Sequence, residues 1–139
     1  MKTVLVSGGF DPIHVGHLDL IEAAASYGRV IVALNSDRWL ERKKGYAFMP
    51  WVDRARILNA LEMVFSVVPV DDSDGTVCTA LRQARPTYFA NGGDREKCDP
   101  AEHGICEERG INELFGIGGG KVRSSSELVF NAVAGELSE

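Results

Sequence analysis

Short β-branched runs alternate with helix-forming ones along nearly the whole chain, and that alternation restricts the fold more than any single motif. The runs at 2–7 (KTVLVS), 29–34 (RVIVAL), 66–70 (SVVPV), 87–92 (TYFANG) and 111–118 (INELFGIG) read as strands. Helices are expected at 16–27, at 36–42, from Pro50 to about 62, and at 74–84, 101–109 and 125–135. Leu18, Ile21 and Ala25 share one face of the first of these. Pro50 suits a first helical position, where its missing N–H has no intrahelical partner to lose. The strands are apolar on both faces, so helices must cover both. The expectation is an α/β fold, a doubly wound parallel sheet of five strands. With 139 residues, 45% of them hydrophobic, and no repeat or linker, the chain reads as a single domain over 1–139.

In an open α/β sheet, ligands bind beyond the carboxyl ends of the strands, where strand order reverses. Those ends fall at 7–14, 35–44, 71–75, 91–97 and 117–124, and they collect most of the glycines and basic clusters. The chain has three histidines, and two of them, His14 and His17, lie at the first such end. The net charge of −5 argues against a nucleic-acid partner, which calls for a basic face. Its positive charge is clumped, at Arg38, Arg42, Lys43 and Lys44, at Arg95 and Lys97, and at Lys121 and Arg123, which suits small anionic ligands. A solvated helix face would give the first clump equally well. The apolar runs are too short for membrane insertion, the N-terminus does not read as a signal peptide, and three cysteines make no disulfide framework. A cytoplasmic protein is expected.

In "GGFDPIHVGH" (8–17), Gly8 and Gly9 allow a sharp turn and close approach to a ligand. A helix starting near Val15 or Gly16 would aim its open N–H groups and positive dipole end at the same crevice. His14 and His17, three apart, share one side of the first turn, with Gly16 bare between them. The combination suits one compact anion such as a phosphate. A metal pair would favour i,i+4 spacing and a third ligand. Two well-known phosphate loops are excluded. Gly120-Lys121 is followed by Val122 where Walker A needs Ser or Thr, and G-x-G-x-x-G is missing from the first turn.

The same stretch resembles the G-x-F-D-x-x-H-x-G-H motif of the cytidylyltransferase and adenylyltransferase superfamily of nucleotidyltransferases. Four further stretches resemble that superfamily in the same order: "LNSDRWLERKKG" (34–45), "DRARILNAL" (53–61), "NGGD" (91–94) and "RSSSEL" (123–128). The resemblance implies a Rossmann-like domain that moves a nucleoside monophosphate from a triphosphate to a phosphorylated small molecule, with Mg²⁺ and release of pyrophosphate. It implies catalytic roles for His14, His17 and Lys44. Nucleotide contacts are implied for Gly8, Gly9, Phe10, Asp11, Gly16, Lys43, Asp94, Arg123, Ser124, Ser125 and Ser126, with Asp11 organising the metal-phosphate end. Substrate contacts are implied for Asp37, Arg54 and Arg95, and Lys44 is expected on a loop that closes over the phosphates. No protein-held metal is assigned, and a homodimer is expected.

Ser124 with Glu127 three residues on also reads as a capping box, and the two roles are compatible. The acceptor phosphate is already an anionic nucleophile near neutral pH, so the reaction asks for positioning and charge stabilisation rather than a side-chain base. Cys98, His103 and Cys106, with Asp99 and Glu102 near, make a zinc site conceivable although a C-x₂-C knuckle is missing. CTP is the favoured donor. However, "GGGKVRSSS" stands where glycerol 3-phosphate and choline phosphate cytidylyltransferases carry R-T-x-G-I-S-T-T, and 34–45 is closer to heptose 1-phosphate adenylyltransferases, which use ATP. A non-catalytic nucleotide-binding regulator is the alternative from a different class.

Overall fold

The computed structural model describes residues 1–92, 99–119 and 128–133. Its elements run β1 (Thr3–Gly8), α1 (Val15–Ala25), β2 (Arg29–Leu34), α2 (Asp37–Lys44), α3 (Trp51–Asn59), β3 (Val64–Pro69), α4 (Cys78–Ala84), β4 (Tyr88–Gly92), α5 (Pro100–Arg109) and β5 (Asn112–Ile117). Residues 128–133 are helical. All pairings are parallel and the order is β3-β2-β1-β4-β5. The expected doubly wound sheet is the one formed.

Period-two alternation divides the core between the faces. Val4 and Val6 of β1 join Val30, Val32 and Leu34 of β2 under Ile21 and Ala24 of α1 and Ala55 and Leu58 of α3. Leu5, Ala33 and Phe89 face the other way, onto Cys78, Ala80 and Leu81 of α4 and Ile105 and Cys106 of α5. Leu5 and Leu58 are fully buried, and each such side chain contributes about 1.5–3 kcal/mol.

Several helix boundaries differ from expectation, α1 ending at Ala25 and α3 running Trp51–Asn59 with Pro50 as its N-cap, and two of the differences have identifiable reasons. α4 starts at Cys78 rather than 74 because Asp71 and Asp74 each accept from the backbone two residues on, at Ser73 N (3.2 Å) and Thr76 N (2.9 Å). Such local bonds hold the chain in turns that compete with helix. α2 runs to Lys44 rather than 42, with three basic residues in its last turn complementing the dipole, and Gly45 at φ 86° closes it.

Order reverses between β1 and β4, which puts the start of α1 at the switch point. Gly118 belongs to the same neighbourhood. At φ 83° it passes so close to α1 that a Cβ there would lie 2.8 Å from Leu20 N. Among the described residues no helix is long and apolar enough to cross a membrane.

Candidate active site

His14 is the N-cap of α1, in extended conformation, and its Nδ1 accepts from Gly16 N at 3.1 Å. His17 Nδ1 accepts in return from His14 N at 3.1 Å. The two histidines thus form a reciprocal capping box, in the places where Ser and Glu usually stand. Because each Nδ1 accepts a backbone hydrogen, the hydrogen each ring offers to a ligand is the one on Nε2. The rings stack with centroids 3.8 Å apart and planes 23° apart, and the Phe10 ring lies 4.6 Å from that of His17, tilted by 49°.

The open helix amides expected to hold a phosphate are therefore engaged internally. Gly16 N goes to the His14 ring, and His17 N and Leu18 N go to His14 O. The positive end of α1 is passed on through the imidazoles, each polarised by the amide on its Nδ1. His17 is held neutral, its pKa lowered to about 3, first by burial and then by the charges of His14 and Lys44.

The sign of the resulting pH dependence follows. Below the ordinary value of 6.5 the unfolded chain binds a proton that the folded chain refuses, so stability is greatest above 6.5 and falls toward about pH 3. The slope from this residue reaches about 1.4 kcal/mol per pH unit. Its NMR ring signals should stay flat from pH 8 to 5. A His17 resonance titrating near 6.5 would contradict this placement.

Asp11 is 1% exposed. Its carboxylate accepts from Phe48 N at 2.5 Å and Met49 N at 2.7 Å, and its main-chain oxygen accepts from Lys44 Nζ at 2.7 Å. Lys44 Nζ also lies 3.9 Å from the Asp11 carboxylate and 5.2 Å from the Tyr46 ring centroid. Two expectations change here. Asp11 tethers the segment between α2 and α3 rather than facing a metal-phosphate end. Lys44 is the last residue of a helix and is held at its tip, not on a loose loop. Lys43 lies over the Trp39 ring at 4.6 Å.

Arg54 was expected to reach a substrate phosphate. It is instead 1% exposed and engaged on all three nitrogens: Nε donates to Met49 O (2.9 Å), Nη1 to Gly9 O (2.8 Å) and Asn35 O (2.9 Å), and Nη2 to Asp37 Oδ1 (2.6 Å). It braces the ends of β1 and β2 and the start of α2, and it occupies the Asp37 oxygen nearest to it. Phe10 is 3% exposed at φ 50°, an uncommon conformation for an aromatic residue, and supports His17 from the core side. At Gly9 the space a Cβ would need is filled by Leu40, whose Cδ2 would be 2.6 Å away, so this glycine admits α2. Gly8 lies under the Phe10 ring, and Gly16 supplies the amide on His14.

Asp94, Arg95, Arg123, Ser124, Ser125 and Ser126, with Lys97, Cys98 and Lys121, lie outside the described residues. The remaining zinc candidates separate: Cys106 is buried, its thiol pushed up to about 12 by burial, while His103 is exposed beside Glu113 (2.7 Å). Among the described residues no group of three or more His, Cys, Asp or Glu is arranged to hold a metal ion, and the Asp11 carboxylate is committed to backbone donors. These residues do not fit a protein-held Mg²⁺. Sequence reasoning assigned no role to Asp72, Asn35, Ser36 or Trp51, which join the carboxyl ends of the strands to α2 and α3.

Among the described residues, the stretch 8–17 lies at the switch point where the fold led a ligand site to be expected. A model of the cytidylyltransferase-like family matches residues 5–115. The chain belongs to the cytidylyltransferase-like family. Among curated relatives, bifunctional protein HldE of Streptomyces coelicolor is 38% identical over 112 residues, 78% of this chain and 24% of that protein. Bifunctional protein HldE of Sulfurimonas denitrificans is 41% identical over 98 residues, 68% of this chain and 20% of that protein. The chain thus spans a quarter or less of these relatives. Two solved structures share the fold. A lipopolysaccharide core biosynthesis protein from Thermoplasma volcanium has a TM-score of 0.72 at 17% identity, covering 84% of this chain and 96% of that one. A putative nicotinate-nucleotide adenylyltransferase from Vibrio parahaemolyticus has a TM-score of 0.57 at 18% identity, covering 97% of this chain and 89% of that one.

Proposed function

We propose that this family member transfers a nucleoside monophosphate from a nucleoside triphosphate to a phosphorylated sugar or small alcohol, releasing pyrophosphate. The observation that carries the reading is the stacked His14–His17 pair capping α1 at the switch point, with His17 held neutral. Such a pair offers Nε2–H donors, which suit an oxygen that becomes more negative as the reaction proceeds. An oxygen of the acceptor phosphate attacks the α-phosphorus in line. The new P–O bond forms as the bond to the bridging oxygen breaks, and pyrophosphate leaves with that electron pair. No proton has to move to a side chain. Lys44 Nζ, beside His17 and Asp11, contributes the positive charge. Mg²⁺ enters with the triphosphate. The serines at 124–126, with Arg123, and the residues Asp94 and Arg95 belong to the same proposal on the resemblance alone, as do a homodimer and a cytoplasmic location.

CTP is the donor on the first reading. ATP is the second, favoured by the likeness of residues 34–45 to heptose 1-phosphate adenylyltransferases. Pyrophosphate release from CTP and from ATP with Mg²⁺, across a panel of phosphorylated sugars and alcohols, decides between them. Release with one donor and one acceptor class is expected. Triphosphate binding without release across the whole panel would favour a regulator, and no binding of either triphosphate would remove the proposal.

A further inference from the structure

The helix that presents Lys44 is short. α2 has eight residues and buries one of them, Leu40, so apolar packing gives it little hold. A single residue from another connection holds it at both ends. Asp72, after β3, is 3% exposed. Its Oδ2 accepts from Asn35 Nδ2 at 3.0 Å and Ser36 N at 2.8 Å, and its Oδ1 accepts from Ser36 Oγ at 2.7 Å. Ser36 Oγ accepts in turn from Trp39 N at 3.1 Å, which closes the N-cap of α2. Near the far end, Arg42 Nη2 donates to the Asp72 main-chain oxygen at 2.8 Å.

We propose that Asp72 is the positioning residue for Lys44: by gripping α2 through Ser36 and Arg42, it sets where the lysine ammonium meets the triphosphate. A helix of eight residues spans about 12 Å, so a small tilt at its cap moves its tip by a comparable or larger amount. At the tip, Lys44 Nζ has Asp11 O at 2.7 Å. The two grips from Asp72 add to the Arg54–Asp37 bond at the first turn and the Lys44 tip contact, and together they fix the direction of the helix where one buried leucine would not. The inference rests on the reading that Lys44 contacts the triphosphate.

The test uses Asp72→Asn, Ser36→Ala and Ser36→Thr in the full chain, each with Lys44 intact and with Lys44→Ala. The first readout needs no activity. Limiting acetic anhydride is applied without ligand, and modification of Lys44 relative to Lys2 is read by mass spectrometry. Asp72→Asn and Ser36→Ala should raise Lys44 modification, and Ser36→Thr, which keeps the hydroxyl, should restore protection. In the transfer assay, kcat should fall about tenfold with Lys44 present and by less than about twofold in the Lys44→Ala background. A merely structural role would lower kcat equally in both backgrounds. Unchanged Lys44 modification, or equal kcat losses, overturns the proposal. If Asp72→Asn does not fold, the Ser36 pair carries the same comparison. If the parent protein transfers nothing, the functional reading fails, and lysine modification still decides the positioning.

Discussion

His14→Asn and His17→Glu should each lower kcat by about 10²–10³, the usual consequence of losing a preorganised donor to a developing oxyanion, while the fold melts within a few degrees of the parent. The choice of variants follows from the capping box. Asn is a good N-cap and keeps an acceptor for Gly16 N, but it is too short to put a donor where the His14 Nε2–H stands. Glu at the third position keeps the return bond to His14 N and suits the helix dipole, but it replaces a donor with a negative charge. Replacement by Ala would confuse two effects, since a lost cap alone costs about 1 kcal/mol. Triphosphate Kd should weaken less than kcat falls for His14→Asn, because the donor acts mainly on the transition state. If both variants turn over normally, the imidazoles only cap α1 and the catalytic reading of the pair is wrong.

Arg54→Met should destabilise the fold by about 3–5 kcal/mol and lower the melting temperature by more than about 10 °C. Methionine replaces the stem of the side chain but none of its donors. Its introduction leaves the buried Asn35 carbonyl, the part-buried carbonyls of Gly9 and Met49, and the Asp37 carboxylate without the partner they share. Arg54→Lys should recover part of the loss, since one ammonium cannot reproduce a planar fork bonded on three nitrogens. If Arg54→Met melts within about 2 °C of the parent and only raises the acceptor KM, the arginine serves substrate and the brace is not what holds these strand ends together.

The sheet was legible because its cause is local. Val4, Leu5 and Val6 are all apolar, which says that both faces of β1 are covered, and the structure puts Leu5 on one face and its neighbours on the other. The position of the histidines was legible for the same reason, since glycines and a helix start surround them. Their reciprocal use of Nδ1 was not, because a histidine at an N-cap does not announce which nitrogen accepts. Arg54 and Asp72 were misjudged or missed on different grounds. Their partners lie as far as 45 and 37 residues away, and nothing in "DRAR" or "VDDSD" separates a buried arginine or aspartate from an exposed one. Phe10 looked like a ligand contact because it sits inside the motif, yet its ring belongs to the core.

Position-labelled triphosphate tests the central claim most directly. CTP and ATP, each labelled with ³²P at the α- or the γ-phosphorus, are incubated with the full chain, Mg²⁺ and the phosphorylated acceptor panel, and products are separated from pyrophosphate. Attack at the α-phosphorus predicts that α-label appears in the acceptor product and γ-label in pyrophosphate alone. Label from the γ-position in the acceptor, or no transfer of α-label to any acceptor while triphosphate is bound, would contradict the claim that the imidazole pair serves nucleotidyl transfer.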